Sequence, residues 1–244
     1  MKLELPNQNF IEFQVHGVRN KIPVIYCVGF GESKDDLHNL EFVRNISKDF
    51  FVVSFDYRNT GKSSGSIENL KTSEMVSDLN SLLDYCKVKF SDKNWNDVAI
   101  VGWSHGSIVA LIFSSKKKVK NLILIGYDGF FEHESDFSKA WKKLGILPDL
   151  KSFQKGKLLP NRRLPIKYGY HIDLMKYNKR DIIPKSKAEH VLILQGSEDE
   201  FNKTKRDFLL LKQNYKVKKI PKTGHELNIQ QVIPQIKKFI SLNS

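Results

Sequence analysis

The sequence predicts an α/β fold, a mostly parallel sheet flanked by helices and interrupted by one inserted segment. Three observations carry this. Short apolar runs rich in β-branched residues recur along the chain, as buried parallel strands require. Stretches with helical apolar spacing lie between them, so strands alternate with helices in βαβ units. One connection is about twice as long as an ordinary crossover.

In chain order, Phe10–Val15 alternates and predicts an antiparallel start to the sheet. The buried strands are expected at Pro23–Val28, Phe51–Phe55, Val98–Val101, Leu122–Ile125 and Val191–Leu194, with Lys216–Ile220 as an edge strand. In Thr72–Phe90 the residues Met75, Leu79, Leu82, Leu83, Cys86 and Phe90 follow helical spacing, with Thr72 or Ser73 placed to cap the start. Ile108–Phe113, Lys203–Leu211 and Val232–Ile240 also read as helical. The long connection, Asp128–Glu189, carries Trp141, Phe153, Tyr168, Tyr170, Tyr177 and the prolines Pro148, Pro160 and Pro165. It reads as a cap (128–189) inserted into a core made of 1–127 and 190–244.

A chain of 244 residues with 40% hydrophobic content suits one such domain. No apolar run is long enough to span a bilayer, and the start lacks a secretory signal, so a cytoplasmic protein without a transmembrane segment is expected. Cys27 and Cys86 read as reduced core thiols. No His/Cys cluster points to a metal, and the glycines at 29, 31, 61 and 65 do not form a phosphate-cradling loop, so no metal or cofactor is expected. Nor is nucleic acid an expected partner. The net charge of +13 is concentrated: 139–187 holds fourteen Lys or Arg against Asp149, Asp173 and Asp181. Such a basic rim predicts either a solvated lid or attraction to an acidic acyl carrier or anionic headgroup.

The strongest chemical signal is Gly102-Trp-Ser-His-Gly106 between a strand and a helix. A serine thrust out on so sharp a turn needs small neighbours, and it stands at a helix N-terminus whose partial positive charge favours a developing anion. Its hydroxyl needs a general base to attack an ester. His225, in Pro221-Lys-Thr-Gly-His225, follows the last predicted strand and so falls at the same sheet edge as Ser104. His16, His38 and His190 read as structural, while His133 and His171 lie where they could touch substrate. A carboxylate must hold the imidazole in the right tautomer, and Asp199 is preferred over Glu198 and Glu200 in the turn after Leu192-Ile-Leu-Gln-Gly196.

These residues make the chain resemble the α/β-hydrolase family over nearly its whole length, in the order serine, acid, histidine. The nucleophile elbow matches Gly102–Gly106, the strand-end acid matches Gly196 to Asp199, and the late Gly-His matches Gly224-His225. Phe55-Asp-Tyr-Arg-Asn-Thr-Gly-Lys-Ser63 is similar to the family's Asp-x-x-Gly-x-Gly-x-Ser loop, with Asn59 or Thr60 where glycine is usual. The resemblance implies hydrolytic activity and an oxyanion hole formed by the backbone N–H groups of His105 and Phe30. The latter lies in Val28-Gly-Phe-Gly31, where Val28 replaces the family's leading histidine.

Serine at the elbow argues against dehalogenase chemistry, which needs a carboxylate nucleophile. The leading expectation is a serine hydrolase that cleaves a small carboxylic ester through an acyl-enzyme. The alternatives are a thioesterase or esterase acting on acyl groups held on acyl carrier protein, coenzyme A or a lysophospholipid, and a non-catalytic binding protein of the same fold.

Overall fold

The computed structural model describes residues 1–127, 129, 135–147, 165–199, 207–211 and 215–244. Eight strands form one sheet: β1 (Lys2–Glu4), β2 (Phe10–His16), β3 (Pro23–Cys27), β4 (Phe51–Phe55), β5 (Ala99–Trp103), β6 (Val119–Ile125), β7 (Ala188–Gly196) and β8 (Tyr215–Ile220). Their spatial order is β1-β2-β4-β3-β5-β6-β7-β8. β1 and β2 run antiparallel to their neighbours, and every pairing from β4 to β8 is parallel.

Every residue of β3, β4 and β5 is buried, which is why those runs are apolar without alternation. β8 ends the sheet, and its alternating lysines keep that edge charged. The described α-helices are α1 (Leu37–Ile46), α2 (Thr72–Lys89), α3 (His105–Lys116), α4 (Asp136–Leu144), α5 (Gly169–Leu174), α6 (Lys179–Ile182) and α7 (Ile229–Leu242). α1 packs with α7, and α2 with α3, giving a helical layer on each face. α3 buries ten residues and is apolar all round; α7 is amphipathic and buries Ile229, Val232, Ile233, Ile236, Phe239 and Ile240. Among the described residues, no helix is long and apolar enough to cross a membrane.

Two expectations need correction. Neither Thr72 nor Ser73 caps α2: Lys71 is the N-cap residue and makes no side-chain capping bond, and the Ser73 N–H is satisfied from outside by Asp173. The predicted helix Lys203–Leu211 is, in its described part, a 3₁₀ turn at Phe208–Leu210; 200–206 lies outside the described residues. Short or polar elements were not anticipated, namely β1, α1 and the helices α4 to α6 between β6 and β7. Cys27 and Cys86 are buried and unpaired, and burial pushes both thiols up to about 12.

The order of strands locates a crevice. From β3 the chain turns through α1 to β4 on one side, whereas from β5 it turns through α3 to β6 on the other. Where two adjacent parallel strands send their connections to opposite faces, their carboxyl ends splay and leave room for a ligand. The two loops at that point begin at Val28 and Ser104.

Candidate active site

Ser104 stands between β5 and α3 with φ 50° and ψ −121°, a left-handed conformation that costs a non-glycine residue about 1–3 kcal/mol. The surroundings hold it there. Ser104 N–H donates to Ile125 O at 2.8 Å, and Ser107 Oγ donates to Gly102 O at 2.7 Å. The flanking glycines are sterically required. A Cβ on Gly102 would lie 2.3 Å from Gly106 O, and one on Gly106 would lie 2.2 Å from Cys27 O.

The turn aims Ser104 Oγ at His225, whose Nε2 is 2.9 Å away. His225 sits in the loop after β8 and is half-buried. Its Nδ1 faces Asp199 Oδ2 at 3.3 Å. Asp199 is buried, whereas its neighbour Glu198 is exposed; Glu200 lies outside the described residues. Gln195, at the end of β7, donates its Nε2 to the same Asp199 oxygen at 2.5 Å. The strand-end turn and the histidine loop also touch directly, because a Cβ on Gly196 would lie 2.1 Å from Gly224 O.

The two remaining predicted residues meet at the crevice. His105 is the first residue of α3, a position whose N–H has no acceptor within a helix. Phe30 lies in the loop after β3, and its ring stands edge-on to the His105 ring at 5.9 Å. In place of a leading histidine, Glu32 braces that loop, accepting from Gly29 N–H at 3.0 Å, from Asn39 Nδ2 at 3.2 Å and facing His38 Nε2 at 3.0 Å. The His105 imidazole is buried, and that burial lowers its pKa to about 3, so the ring is neutral. It contacts Tyr170 Oη and, at 3.4 Å, Thr72 Oγ1.

In the loop after β4, Asn59 adopts φ 70°, the conformation that glycine commonly supplies and asparagine tolerates. Asp56 organises this loop, accepting from Lys34 N–H at 2.7 Å and Lys62 N–H at 2.8 Å. Among the described residues, Glu12, Asp35 and Asp56 are close enough together to hold a cation, but Lys34 Nζ already meets them at 2.5, 3.0 and 3.1 Å. That buried ammonium supplies the balancing charge.

Of the histidines placed near a substrate, His171 is buried and stacks on Tyr168 at 5.2 Å; His133 lies outside the described residues. Arg162 and Arg163 of the basic segment lie outside them too. Within the described part, Lys139, Lys167, Lys176 and Lys179 pair with Asp136, Glu68, Asp173 and Asp207. Sequence reasoning missed Gln195, Glu32, Thr72 and Asp173. Only Gln195 had a signal, its place in the strand that ends at Gly196.

A family profile described as alpha/beta hydrolase fold matches residues 22–165. No curated protein matches the chain. Solved structures do. Est1E of Butyrivibrio proteoclasticus, with ferulic acid bound, is 18% identical with a TM-score of 0.77, over 100% of this chain and 98% of its own. GrgF, an alpha/beta hydrolase of Penicillium sp. sh18, is 11% identical at 0.83, over 100% and 97%. A thermophilic esterase of Thermogutta terrifontis, with malate bound, is 14% identical at 0.74, over 100% of both chains. At these identities the likeness is one of fold.

Proposed function

Since the chain belongs to the alpha/beta hydrolase fold family, we propose that it is a serine hydrolase that cleaves carboxylic esters through an acyl-enzyme. The observation that carries this reading is the aligned contact of Ser104 Oγ, His225 Nε2 and Nδ1, and Asp199 Oδ2. In the proposed reaction His225 takes the Ser104 proton as the oxygen attacks the carbonyl carbon. Asp199 holds the imidazole in the tautomer that leaves Nε2 free to accept. The tetrahedral oxygen is stabilised by the Phe30 and His105 N–H groups, the latter reinforced by the N-terminal end of α3. Collapse expels the alcohol, which receives its proton from His225, and water then releases the acid by the same steps in reverse. The ferulic acid in Est1E and the esterase from Thermogutta terrifontis favour an ester substrate.

A second reading takes acyl groups from an anionic carrier or a lysophospholipid, and rests on the charge of the segment between β6 and β7, proposed as a cap over 128–189. Four of its lysines are already in local ion pairs, which weakens the field they present. A small uncharged ester is therefore the preferred substrate. Treatment with a fluorophosphonate followed by peptide mass analysis tests the central assignment. The adduct is expected on Ser104; an adduct elsewhere, or activity that survives Ser104→Ala, would remove it from its role.

A further inference from the structure

Two backbone donors serve an oxyanion only if both are held still. Phe30 lies between Gly29, whose N–H donates to Glu32 at 3.0 Å, and Gly31, which adopts φ 67°. Its side chain supplies a further hold, since the ring packs edge-on against Tyr170 at 4.8 Å. The second candidate donor, His105, touches the same residue: Tyr170 Oη stands 3.0 Å from Nε2 and 3.1 Å from Nδ1 of the imidazole. One side chain thus abuts both residues whose N–H groups are the proposed oxyanion donors.

Tyr170 is itself fixed. It is only 3% exposed, and its ring stacks on Trp141 at 5.8 Å with 24° between planes. Trp141 Nε1 donates to Ile166 O at 2.9 Å. The short helix α5 that carries Tyr170 is pinned to the start of α2, where Asp173 accepts from Ser73 N–H at 2.7 Å and Ser73 Oγ at 2.9 Å. Just before α5, Lys167 N–H donates to Glu68 O at 3.0 Å. This part of the segment between β6 and β7 is docked through part-buried and surface polar contacts, and so small an exposed area leaves Tyr170 little surface for substrate.

We propose that Tyr170 is a positioning residue that holds the Phe30 and His105 backbones at the spacing the oxyanion requires, making α5 part of the catalytic framework. This rests on the serine hydrolase reading. If it holds, losing Tyr170 acts on the transition state and leaves ground-state binding of a small ester nearly untouched.

The test compares wild type, Tyr170→Phe and Tyr170→Ala on p-nitrophenyl acetate. It also measures affinity for a trifluoromethyl ketone, whose serine adduct carries an oxyanion. Removing one oxyanion donor outright costs about 10²–10³ in kcat, so partial release of two predicts a loss of about 10- to 100-fold for Tyr170→Ala, with KM changed by less than about threefold. Ketone affinity is expected to fall in parallel with kcat. Tyr170→Phe keeps the ring against Phe30 and removes the hydroxyl that contacts His105, so about a 3- to 10-fold loss in kcat is expected. Its melting temperature reports folding, and this variant decides the matter if Tyr170→Ala does not fold. A Tyr170→Phe enzyme with wild-type kcat and ketone affinity would overturn the proposal, as would raised KM at unchanged kcat. Wild type that neither hydrolyses the ester nor takes a fluorophosphonate on Ser104 would sink the hydrolase reading and the proposal with it; that outcome is separable because it does not involve Tyr170.

Discussion

Two neighbouring glycines make opposite predictions, and the pair tests the geometry of the base and its acid. Gly196 ends β7, three residues before Asp199, and Gly224 immediately precedes His225. A Cβ on Gly196 would lie 2.1 Å from Gly224 O, 2.5 Å from Thr223 O and 2.9 Å from Gly224 C. All three atoms are backbone, so no flexible side chain can swing away. Restoring an ordinary contact separates the Asp199 arm from the His225 arm by about 1 Å, and a misplacement of that size costs about 10²-fold in rate. The overpacking adds about 1–3 kcal/mol of destabilisation. A Cβ on Gly224, by contrast, meets nothing within 4 Å among the described residues. Gly224→Ala is expected to keep kcat/KM within about twofold and stability within about 0.5 kcal/mol. The assay is kcat/KM on a p-nitrophenyl ester, with the rate of fluorophosphonate labelling and the melting temperature read alongside. Wild-type turnover by Gly196→Ala, or equal damage from both variants, would show that the contact between these two loops does not control the site.

Other outcomes follow from the same contacts. Asp199→Asn should leave the melting temperature nearly unchanged and lower kcat by about 10³–10⁴-fold through the wrong imidazole tautomer, while Glu198→Gln does far less; reversed effects would move the acid by one residue. Gln195→Leu removes the amide donor on Asp199 Oδ2, so kcat should fall by about tenfold at constant KM, measured by steady-state kinetics. Burial pushes the Glu32 carboxyl up, but hydrogen bonds from His38, Asn39 and the Gly29 N–H outweigh it and hold the group below its ordinary value. Its stabilisation is complete above the unfolded value of about 4.3 and is lost as pH falls through the lowered folded value. Melting temperature should therefore drop more steeply on acidification for wild type than for Glu32→Gln, and parallel curves would contradict this.

How much was legible in the sequence depends on the range over which each signal acts. Buried strands such as Phe51–Phe55 declare themselves because a parallel sheet covered on both faces admits apolar residues at every position. The elbow is local in part: Gly102 is required by Gly106 and Ser107 a few residues on, whereas Gly106 is required by Cys27 and Val28 at the end of the neighbouring strand. The sequence left Asn59 and Thr60 open as the residue standing where the family commonly has glycine, and the positive φ falls on Asn59, which tolerates it. The helix cap went wrong at Thr72 and Ser73 because the group that satisfies Ser73 N–H, Asp173, comes from a hundred residues further along the chain.

By itself, then, the sequence determined the α/β class, the positions of the main strands and the residue types able to carry hydrolytic chemistry. These depend on periodicity, side-chain chemistry and backbone preference, which neighbouring residues set among themselves. Only the tertiary structure decided that Gln195 shares an oxygen of Asp199, that Glu32 accepts from the Gly29 N–H and Asn39, and that Tyr170 touches both Phe30 and His105. Such contacts join distant segments through distances of a few ångströms, and no local pattern records which segments the packing will bring together.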